Sequence, residues 1–277
     1  INKVKQIDLP IIFINREPLE TDLDLYDKAY YVGAVASQSG EFQAVIIDWL
    51  FGRNPEDLNQ YDLNDDNIIQ AVIFKGEQGH QDAEQRTQYV QSKLVEMGYS
   101  IEILTIETAD WNFDNAYQLA IPAFELYGDQ IEVVISNNDW MALGVIQAMQ
   151  ELGYIVDTNE DGFIQPEYEP WIPVIGIDGI EETITMLDNG YMHATVINDS
   201  DTQAIATVRL AYSLVNDMIF DNSVFEYPTE KSDINWAYLH FAEWAESGGV
   251  DYNFSPTQWW IVDNLTYRNY QNIYVPH

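Results

Sequence analysis

The sequence predicts an α/β fold in which parallel strands are flanked by helices. From Pro10 onward, short runs rich in β-branched residues alternate with longer stretches whose apolar residues recur every three or four positions. That alternation is typical of repeated strand–helix units. A length of 277 residues is enough for one large or two ordinary domains, each with a buried core.

The strands and helices are predicted from these two patterns. Most of the β-branched runs are dense enough to be buried on both faces. The predicted strands are Ile11–Asn15, Tyr30–Val35, Ile69–Lys75, Ile101–Ile106, Ile131–Ser136, Pro173–Asp178 and Ala194–Asn198. The predicted helices are Asp82–Met97, Asn115–Leu126, Trp140–Leu152, Ile180–Asp188 and Thr202–Met218.

The last quarter of the chain, from about Ile219, has a different character. It is aromatic, rich in turn residues and weakly periodic, and strands are predicted only at Trp259–Val262 and Ile273–Val275. Within Trp236–Trp244, aromatic residues recur at helical spacing, which indicates a core-facing stretch.

Composition and charge exclude several classes of function. The chain has 11 Lys and Arg residues against 46 Asp and Glu residues, a formal net charge of −35. Such a surface repels nucleic-acid backbones and anionic lipids. Zero cysteines exclude disulfides and thiolate chemistry, and no apolar run approaches the length of a membrane span. We therefore expect neither nucleic-acid binding nor direct membrane insertion.

Polar residues directly follow the predicted strands, where ligands bind in parallel α/β sheets. They are amides, carboxylates, one histidine and one arginine, without a nucleophile paired to a base: His80 and Asp82 after the third strand, with Arg86 beyond them, then Asn137, Asn138 and Asp139, then Asp178, and then Asn198 and Asp199. Carboxylates accept and guanidinium groups donate charge-assisted hydrogen bonds, which suits sugar hydroxyls. Trp111 offers an apolar face for a pyranose ring. The pattern favours recognition over catalysis, so we expect no enzymatic activity.

Simpler interpretations exist for two of these features. Asp82 and Arg86 are one helical turn apart and could form an ordinary ion pair on a solvated surface. Trp111 could be a core or interface tryptophan.

Four segments make the resemblance to a known family specific. They are Tyr26–Gly33, Phe74–Thr87, Ile131–Asp139 and Thr195–Asp199. In order along the chain from about Leu9 to Met218, they closely resemble the galactose/glucose-binding proteins of bacterial ABC import systems, which are two-lobed, hinged receptors. The resemblance implies that His80, Asp82, Arg86, Asn138, Asp178 and Asn198 bind sugar hydroxyls and that Trp111 stacks on the ring.

The resemblance also implies a domain organisation. Residues 1–29 would be the remnant of an amino-terminal lobe and hinge, residues 30–198 a carboxy-terminal-type sugar-binding lobe, and residues 199–277 a return to the first lobe with an aromatic-rich extension. The family has further strands and helices before the segment that matches Leu9–Pro18, and these would supply a second wall of the cleft. We therefore expect the amino-terminal lobe to be incomplete, either because the sequence is a fragment or because another chain completes it.

A calcium loop is predicted between two of the strands. Asp62, Asn64, Asp66 and Gln70 place oxygen side chains at alternate positions, and Ile68 adds its carbonyl, as a hard cation with six to eight oxygen ligands requires. The resemblance implies that Glu132 closes this site from a distant strand. A second run, Asp157–Gln165, fits the opening of a calcium loop but has Tyr168 at the twelfth position, and it could equally be an ordinary acidic loop.

The function expected from these features is extracytoplasmic binding of galactose or glucose. The protein would close about its hinge on one sugar and deliver it to an ABC-type permease, with a chemoreceptor as a further partner. The mature protein, with its signal peptide removed, would be periplasmic or extracellular, either lipid-anchored or free. The alternatives are the ligand-sensing core of a sugar-responsive transcriptional repressor and an acidic glycosidase.

Overall fold

The chain folds into two compact units. The computed structural model describes residues 1–34, 36–198, 200–216 and 237–239. Among these, the first unit contains residues 1–34, 198 and 200–216, and the second contains residues 36–197 and 237–239.

Helices and strands are numbered in chain order. They are α1 (Asn2–Lys5), β1 (Ile11–Ile14), α2 (Glu20–Leu23), β2 (Ala29–Val32), α3 (Ala36–Leu50), β3 (Ile69–Lys75), α4 (Gln81–Glu96), β4 (Ile101–Thr108), α5 (Phe113–Tyr127), β5 (Val133–Ser136), α6 (Asp139–Leu152), β6 (Val174–Asp178), α7 (Glu181–Asp188), β7 (Ala194–Ile197), α8 (Ser200–Val215) and β8 (Ala237–Leu239).

The first unit contains a parallel pair of strands. Ile11 of β1 lies opposite Ala29 of β2, and the pair continues to Ile14 and Val32. Because β2 pairs with β1, it belongs to the first unit, which continues to residue 34, whereas the family resemblance implies a lobe boundary at residue 30.

The second unit is a six-stranded sheet with helices on both faces. Its strand order is β4-β3-β5-β6-β7-β8, with every pair parallel except β7 and β8. Alternate residues of β3 enter two separate hydrophobic clusters, one with α5 and α6 and one with α3 and α4. Successive side chains of a strand point to opposite faces of the sheet, so alternate residues of β3 are buried in different clusters.

The predicted strands and helices in the described range are confirmed, with ends that differ by a few residues. Helix α3 was missed. Its buried positions follow helical spacing, but three of them are Ser39, Gly40 and Gln43, so the hydrophobic pattern is weak. Gly40 is needed there because an added Cβ would lie 2.6 Å from the carbonyl oxygen of Arg86.

The carboxy-terminal predictions have a mixed outcome. Residues 237–239 form a strand antiparallel to β7, so the helical spacing noted for Trp236–Trp244 was misleading there. The strands predicted at Trp259–Val262 and Ile273–Val275 lie outside the described residues. Among the described helices, none combines the length and the apolar character needed to cross a membrane.

Candidate functional site

The candidate site lies where β3, β5 and β6 end. Phe74 lies opposite Ser136 in the parallel register, so the residues after β3 and β5 leave the sheet at the same edge. Strand β6 pairs with β5 and ends at Asp178, opposite Ile197 of β7. The fold therefore brings together polar residues that are far apart in sequence, as the strand-end argument predicts.

The turn after β3 is held by an ion pair and presents His80. Lys75 Nζ lies 2.7 Å from Glu84 Oε2, and Glu84 Oε1 accepts a hydrogen bond of 2.8 Å from the Gly79 N–H. The hydrogen bond from Lys75 is the main cause of a pKa of Glu84 below its usual range. His80 caps α4, because its Nδ1 accepts a 3.2 Å hydrogen bond from the Asp82 N–H. With Nδ1 as an acceptor, the neutral ring carries its proton on Nε2, which can donate to a ligand hydroxyl.

Arg86 is the centre of the site. It is 4% exposed, and its Nη1 donates a 2.7 Å hydrogen bond to the main-chain oxygen of Asn137. The guanidinium also lies 3.6 Å from Asp82 Oδ2 and 3.9 Å from Asp178 Oδ1. The simpler interpretation of Asp82 and Arg86 as a solvated surface pair is therefore wrong, because Arg86 is buried and joins residues from three strand ends.

Trp111 lies over the turn after β3. Its ring occupies the space that a Cβ of Gly76 would need, with the nearest ring atom 2.2 Å from that position. The ring packs edge-on against His80 at 5.3 Å, and the Arg86 guanidinium carbon lies 5.6 Å from its centre. Trp111 is only partly buried and also contacts a hydrophobic core cluster, so it combines a core role with a place at the site.

The Asn137–Asp139 segment connects the strand ends. Asn138 caps α6 by accepting a 3.0 Å hydrogen bond from the Met141 N–H. Its side-chain oxygen is thus engaged, which leaves its amide NH2 to meet a ligand. Asn137 and Asp139 are fully buried. Both are among the polar residues that follow the predicted strands, but the family resemblance gives neither of them a sugar contact. The only sequence signal for them was their position directly after β5, because their contacts are with distant residues.

Asn137 ties the end of β5 to the elements around Arg86. Its Oδ1 accepts hydrogen bonds from the Gly76 N–H at 3.1 Å and from the Thr87 hydroxyl at 3.1 Å.

Asp178 ends β6 with a φ of 132°, a strained value for a residue with a side chain. Asn198 follows β7 directly and is the first residue of the stretch that returns to the first unit.

The predicted calcium loop precedes β3, at the opposite edge of the sheet. Asp62 accepts hydrogen bonds from the N–H groups of Asp66 and Asn67, at 3.2 Å and 2.8 Å. Glu132, directly before β5, accepts from the Leu63 N–H at 2.6 Å and the Gln70 N–H at 3.0 Å. Glu132 therefore closes the loop from the neighbouring strand.

Two features of this loop concern its buried oxygen atoms. Glu132 is 2% exposed, and burial, with the charges of Asp62 and Asp66, raises its pKa to about 7. Gln70 is 3% exposed, and its Oε1 accepts no hydrogen bond from any described residue. Asn67 adopts the left-handed conformation with a φ of 60°, which Asn tolerates better than most residues.

The loop Asp157–Gln165 has the same internal hydrogen bonds. The Asp161 N–H donates to Asp157 at 3.2 Å and to Asn159 at 2.9 Å, as the Asp66 N–H donates to Asp62 and Asn64. Glu169 accepts from the Gln165 N–H at 2.8 Å and the Thr158 N–H at 2.7 Å, in the manner of Glu132. Glu169, which is adjacent to the twelfth position of the calcium-loop pattern, thus closes this loop in place of Tyr168 at that position.

The two loops hold their carboxylates around main-chain N–H groups. Among the described residues, no three His, Cys, Asp or Glu side chains form a group that could hold a metal ion by themselves. Any cation at the loop before β3 would therefore need the amide and carbonyl oxygens of Asn64, Gln70 and Ile68 as well.

Two family models match the chain. The model of a periplasmic binding protein domain matches residues 1–217, and a domain of unknown function (DUF4842) matches residues 186–260. The second match includes most of the aromatic-rich stretch that begins at about Ile219.

Similar proteins are binding proteins. The D-galactose/methyl-galactoside binding periplasmic protein MglB of Haemophilus influenzae is 35% identical over 216 residues, which are 77% of this chain and 59% of that protein. A putative rhizopine-binding protein of Rhizobium meliloti is 26% identical over 74% of this chain and 58% of that protein. The chain thus spans less than two thirds of the length of these relatives.

Solved structures share the fold. An ABC transporter solute binding protein from Bacillus halodurans with bound myo-inositol is 25% identical, with a TM-score of 0.61 over 79% of this chain and 66% of that one. A periplasmic solute binding protein from Actinobacillus succinogenes with bound D-allose is 19% identical, with a TM-score of 0.64 over 79% of this chain and 68% of that one. The second likeness concerns the fold alone.

Proposed function

Because the chain belongs to the periplasmic binding protein family, whose domain model matches residues 1–217, we propose that it binds one monosaccharide outside the cytoplasm for delivery to an ABC-type permease. Galactose and glucose are the proposed ligands. The relative from Haemophilus influenzae, which is named for D-galactose and methyl-galactoside binding, supports this choice.

The observation that carries the proposal is the buried Arg86 between two carboxylates. Asp82 and Asp178 can accept hydrogen bonds from sugar hydroxyls, and the guanidinium can donate to others. Trp111, beside Arg86, supplies an apolar ring face. Donors, acceptors and an aromatic surface together match a pyranose, which has polar edges and apolar C–H faces.

The proposed mechanism is hinge closure without a chemical step. A sugar that gains contacts only in the closed form shifts the population toward that form. The permease would then recognise the closed receptor. Among the described residues at the ends of β3, β5 and β6, none is a nucleophile paired to a base, which agrees with a binding role.

Calorimetry of the full-length natural protein with D-galactose and D-glucose tests the proposal. We expect binding of at least one of these sugars and weaker binding of myo-inositol, which lacks the ring oxygen. Asp178→Ala should weaken sugar binding by at least about 30-fold, since removing an acceptor that contacts both the sugar and the buried Arg86 charge costs about 2 kcal/mol or more.

Asp188→Ala is the matched control. Asp188 is an exposed carboxylate at the end of α7, away from the strand ends, so its removal should leave sugar affinity unchanged. Absence of binding for both sugars would refute the sugar assignment. Equal affinities of the Asp178→Ala variant and the wild type would mean that the site lies elsewhere.

We also propose that the loop before β3 binds one calcium ion. Asp62, Asn64, Asp66, Gln70 and Glu132 would bind through side chains and Ile68 through its carbonyl. The buried Gln70 Oε1, which accepts no hydrogen bond among the described residues, supports this ligand set, because a cation would satisfy it. The bound ion would join the loop before β3 to the start of β5 and so stabilise the fold.

A further inference from the structure

Asp139 is a buried carboxylate that contacts both the turn after β6 and a residue within β7. It is the first residue of α6 and has no exposed surface. Its Oδ2 accepts hydrogen bonds from the N–H groups of Gly179 at 2.7 Å and Ile180 at 3.2 Å. Its Oδ1 accepts a 2.7 Å hydrogen bond from the hydroxyl of Thr195 on β7.

The turn that Asp139 contacts has an unusual backbone. Asp178 has a φ of 132° and Gly179 a φ of 72°. A residue with a side chain adopts the first value only when its surroundings hold it there. The two N–H groups that Asp139 binds are those that directly follow Asp178, so the carboxylate stabilises this conformation of the turn.

Strand β6 is shaped to receive the Asp139 carboxylate. A Cβ on Gly176 would lie 2.1 Å from Asp139 Oδ1, so the absence of a side chain at this position makes room for the carboxylate. Burial, and then the charge of Asp178, raise the pKa of Asp139 to about 7, because a buried carboxylate loses the water that stabilises its charge. An apolar residue would fill the space without that cost but would leave both N–H groups of the turn without this acceptor.

We propose that Asp139 is a positioning residue for ligand binding: it holds the Asp178–Ile180 turn so that the Asp178 carboxylate stays beside Arg86. In this conformation of the turn, Asp178 Oδ1 lies 3.9 Å from Arg86 Nη1. This inference rests on the proposed function, in which Asp178 accepts a hydrogen bond from a sugar.

Sugar affinity in the full-length protein tests the inference. Asp139→Ala should weaken binding of D-galactose or D-glucose by at least about 10-fold, since the turn loses both of its acceptor contacts. Asp139→Asn should stay within about three-fold of the wild type, because its amide oxygen can accept from the turn while its NH2 donates to the Thr195 hydroxyl. Thr195→Val, a milder change, should produce a smaller loss than Asp139→Ala.

Asp48→Ala is the control for a purely structural effect. Asp48, near the end of α3, accepts a 2.6 Å hydrogen bond from the hydroxyl of Tyr99. Because Tyr99 comes just before β4, this pair lies at the edge of the sheet where the strands begin, opposite the candidate site. Loss of this hydrogen bond should lower the stability of the protein and leave its sugar affinity unchanged. If Asp139→Ala keeps wild-type affinity, or if Asp48→Ala weakens binding equally at the same loss of stability, the inference is wrong.

Amide hydrogen exchange separates this inference from the proposed function. Without any sugar, Asp139→Ala should speed exchange at Gly179 and Ile180 by at least about 10-fold, with little change in the central strand β3. A wild-type protein that binds neither sugar would refute the proposed function, and the exchange rates would still decide whether Asp139 holds the turn. Unchanged exchange at Gly179 and Ile180 would refute the inference even if the sugar binds.

Discussion

Gly76 and Trp111 are packed so closely that no side chain fits between them. A Cβ on Gly76 would lie 2.2 Å from the nearest ring atom of Trp111. Trp111 itself has a φ of 62°, a left-handed conformation that is uncommon for a bulky residue. The orientation of the Trp111 ring beside His80 and Arg86 therefore depends on the absence of a side chain at Gly76, directly after β3.

Gly76→Ala should displace the Trp111 ring and weaken sugar binding by at least about 10-fold, since an overpacked contact must shift one of its members. Calorimetry gives the affinity, and tryptophan fluorescence gives the change around the ring. Gly153→Ala is a control for glycine replacement: Gly153 ends α6 with a φ of 83° and open space around it, so only stability should fall. Unchanged affinity of Gly76→Ala would show that Trp111 does not contact the sugar.

The sheet and most of the candidate site could be predicted from the sequence because both depend on local patterns. Buried parallel strands are near-continuous β-branched runs, and the residues that follow them mark the ligand edge. The family resemblance is confirmed by the domain model that matches residues 1–217. The structure places Asp82 and Asp178 beside Arg86, and both Arg86 and His80 beside Trp111.

The features that the sequence did not reveal depend on distant contacts. The burial of Gly40 in α3 reflects its approach to the main chain of Arg86, which no local pattern encodes. The role of Asp139 depends on Gly179 and Thr195, 40 and 56 residues away. Likewise, Glu169 closes its loop from outside the expected twelfth position. In a chain with 46 acidic residues, composition does not distinguish such carboxylates from solvated ones.

Arg86→Lys should weaken sugar binding by at least about 10-fold, even though the charge is kept. The guanidinium reaches Asn137 and Asp178 with Nη1 and Asp82 with Nη2, and one ammonium group cannot hold all three. Calorimetry with D-galactose and D-glucose measures the loss. Arg53→Lys is the matched control, because Arg53 is an exposed side chain whose ion pair of 3.8 Å is with Asp48, away from the candidate site. Equal affinities of Arg86→Lys and the wild type would mean that only a positive charge is needed there.

Removal of calcium should lower the thermal stability of the protein. An ion present at about 100 times its dissociation constant stabilises the folded state by about 2.7 kcal/mol. Asp62→Ala should abolish this effect, whereas Asp157→Ala, at the equivalent position of the second loop, should leave it intact. Thermal unfolding with and without a chelator measures the stabilisation, and calorimetry with CaCl2 gives the stoichiometry.

The two aspartate variants also separate the loops from each other. We expect one calcium ion per chain, lost in Asp62→Ala. A stoichiometry of two that falls to one in Asp157→Ala would assign a second ion to the loop that Glu169 closes. No change on chelation in the wild type would contradict the calcium proposal.

The buried Asp139 should make stability fall as the pH rises toward neutrality. Its pKa is raised to about 7 in the folded protein, whereas the pKa of an aspartate in an unfolded chain is about 3.9. Between these values the folded state binds more protons than the unfolded state, so the free energy of unfolding decreases with rising pH, by at most about 1.4 kcal/mol per pH unit for one group. Above about pH 7 this contribution is constant.

Asp139→Asn removes that titration and isolates its contribution from those of the many other acids. The nearest charges, Asp178 and its partner Arg86, remain in both proteins. Urea unfolding of both proteins at several pH values between 4 and 8, at one fixed calcium concentration, measures this contribution. The free energy of unfolding of the variant minus that of the wild type should increase as the pH rises to about 7. It should then level off, because Asp139 is ionised in both the folded and the unfolded wild type. Parallel curves for the two proteins would show that Asp139 is already ionised at acidic pH, as a carboxylate stabilised by its three hydrogen bonds would be.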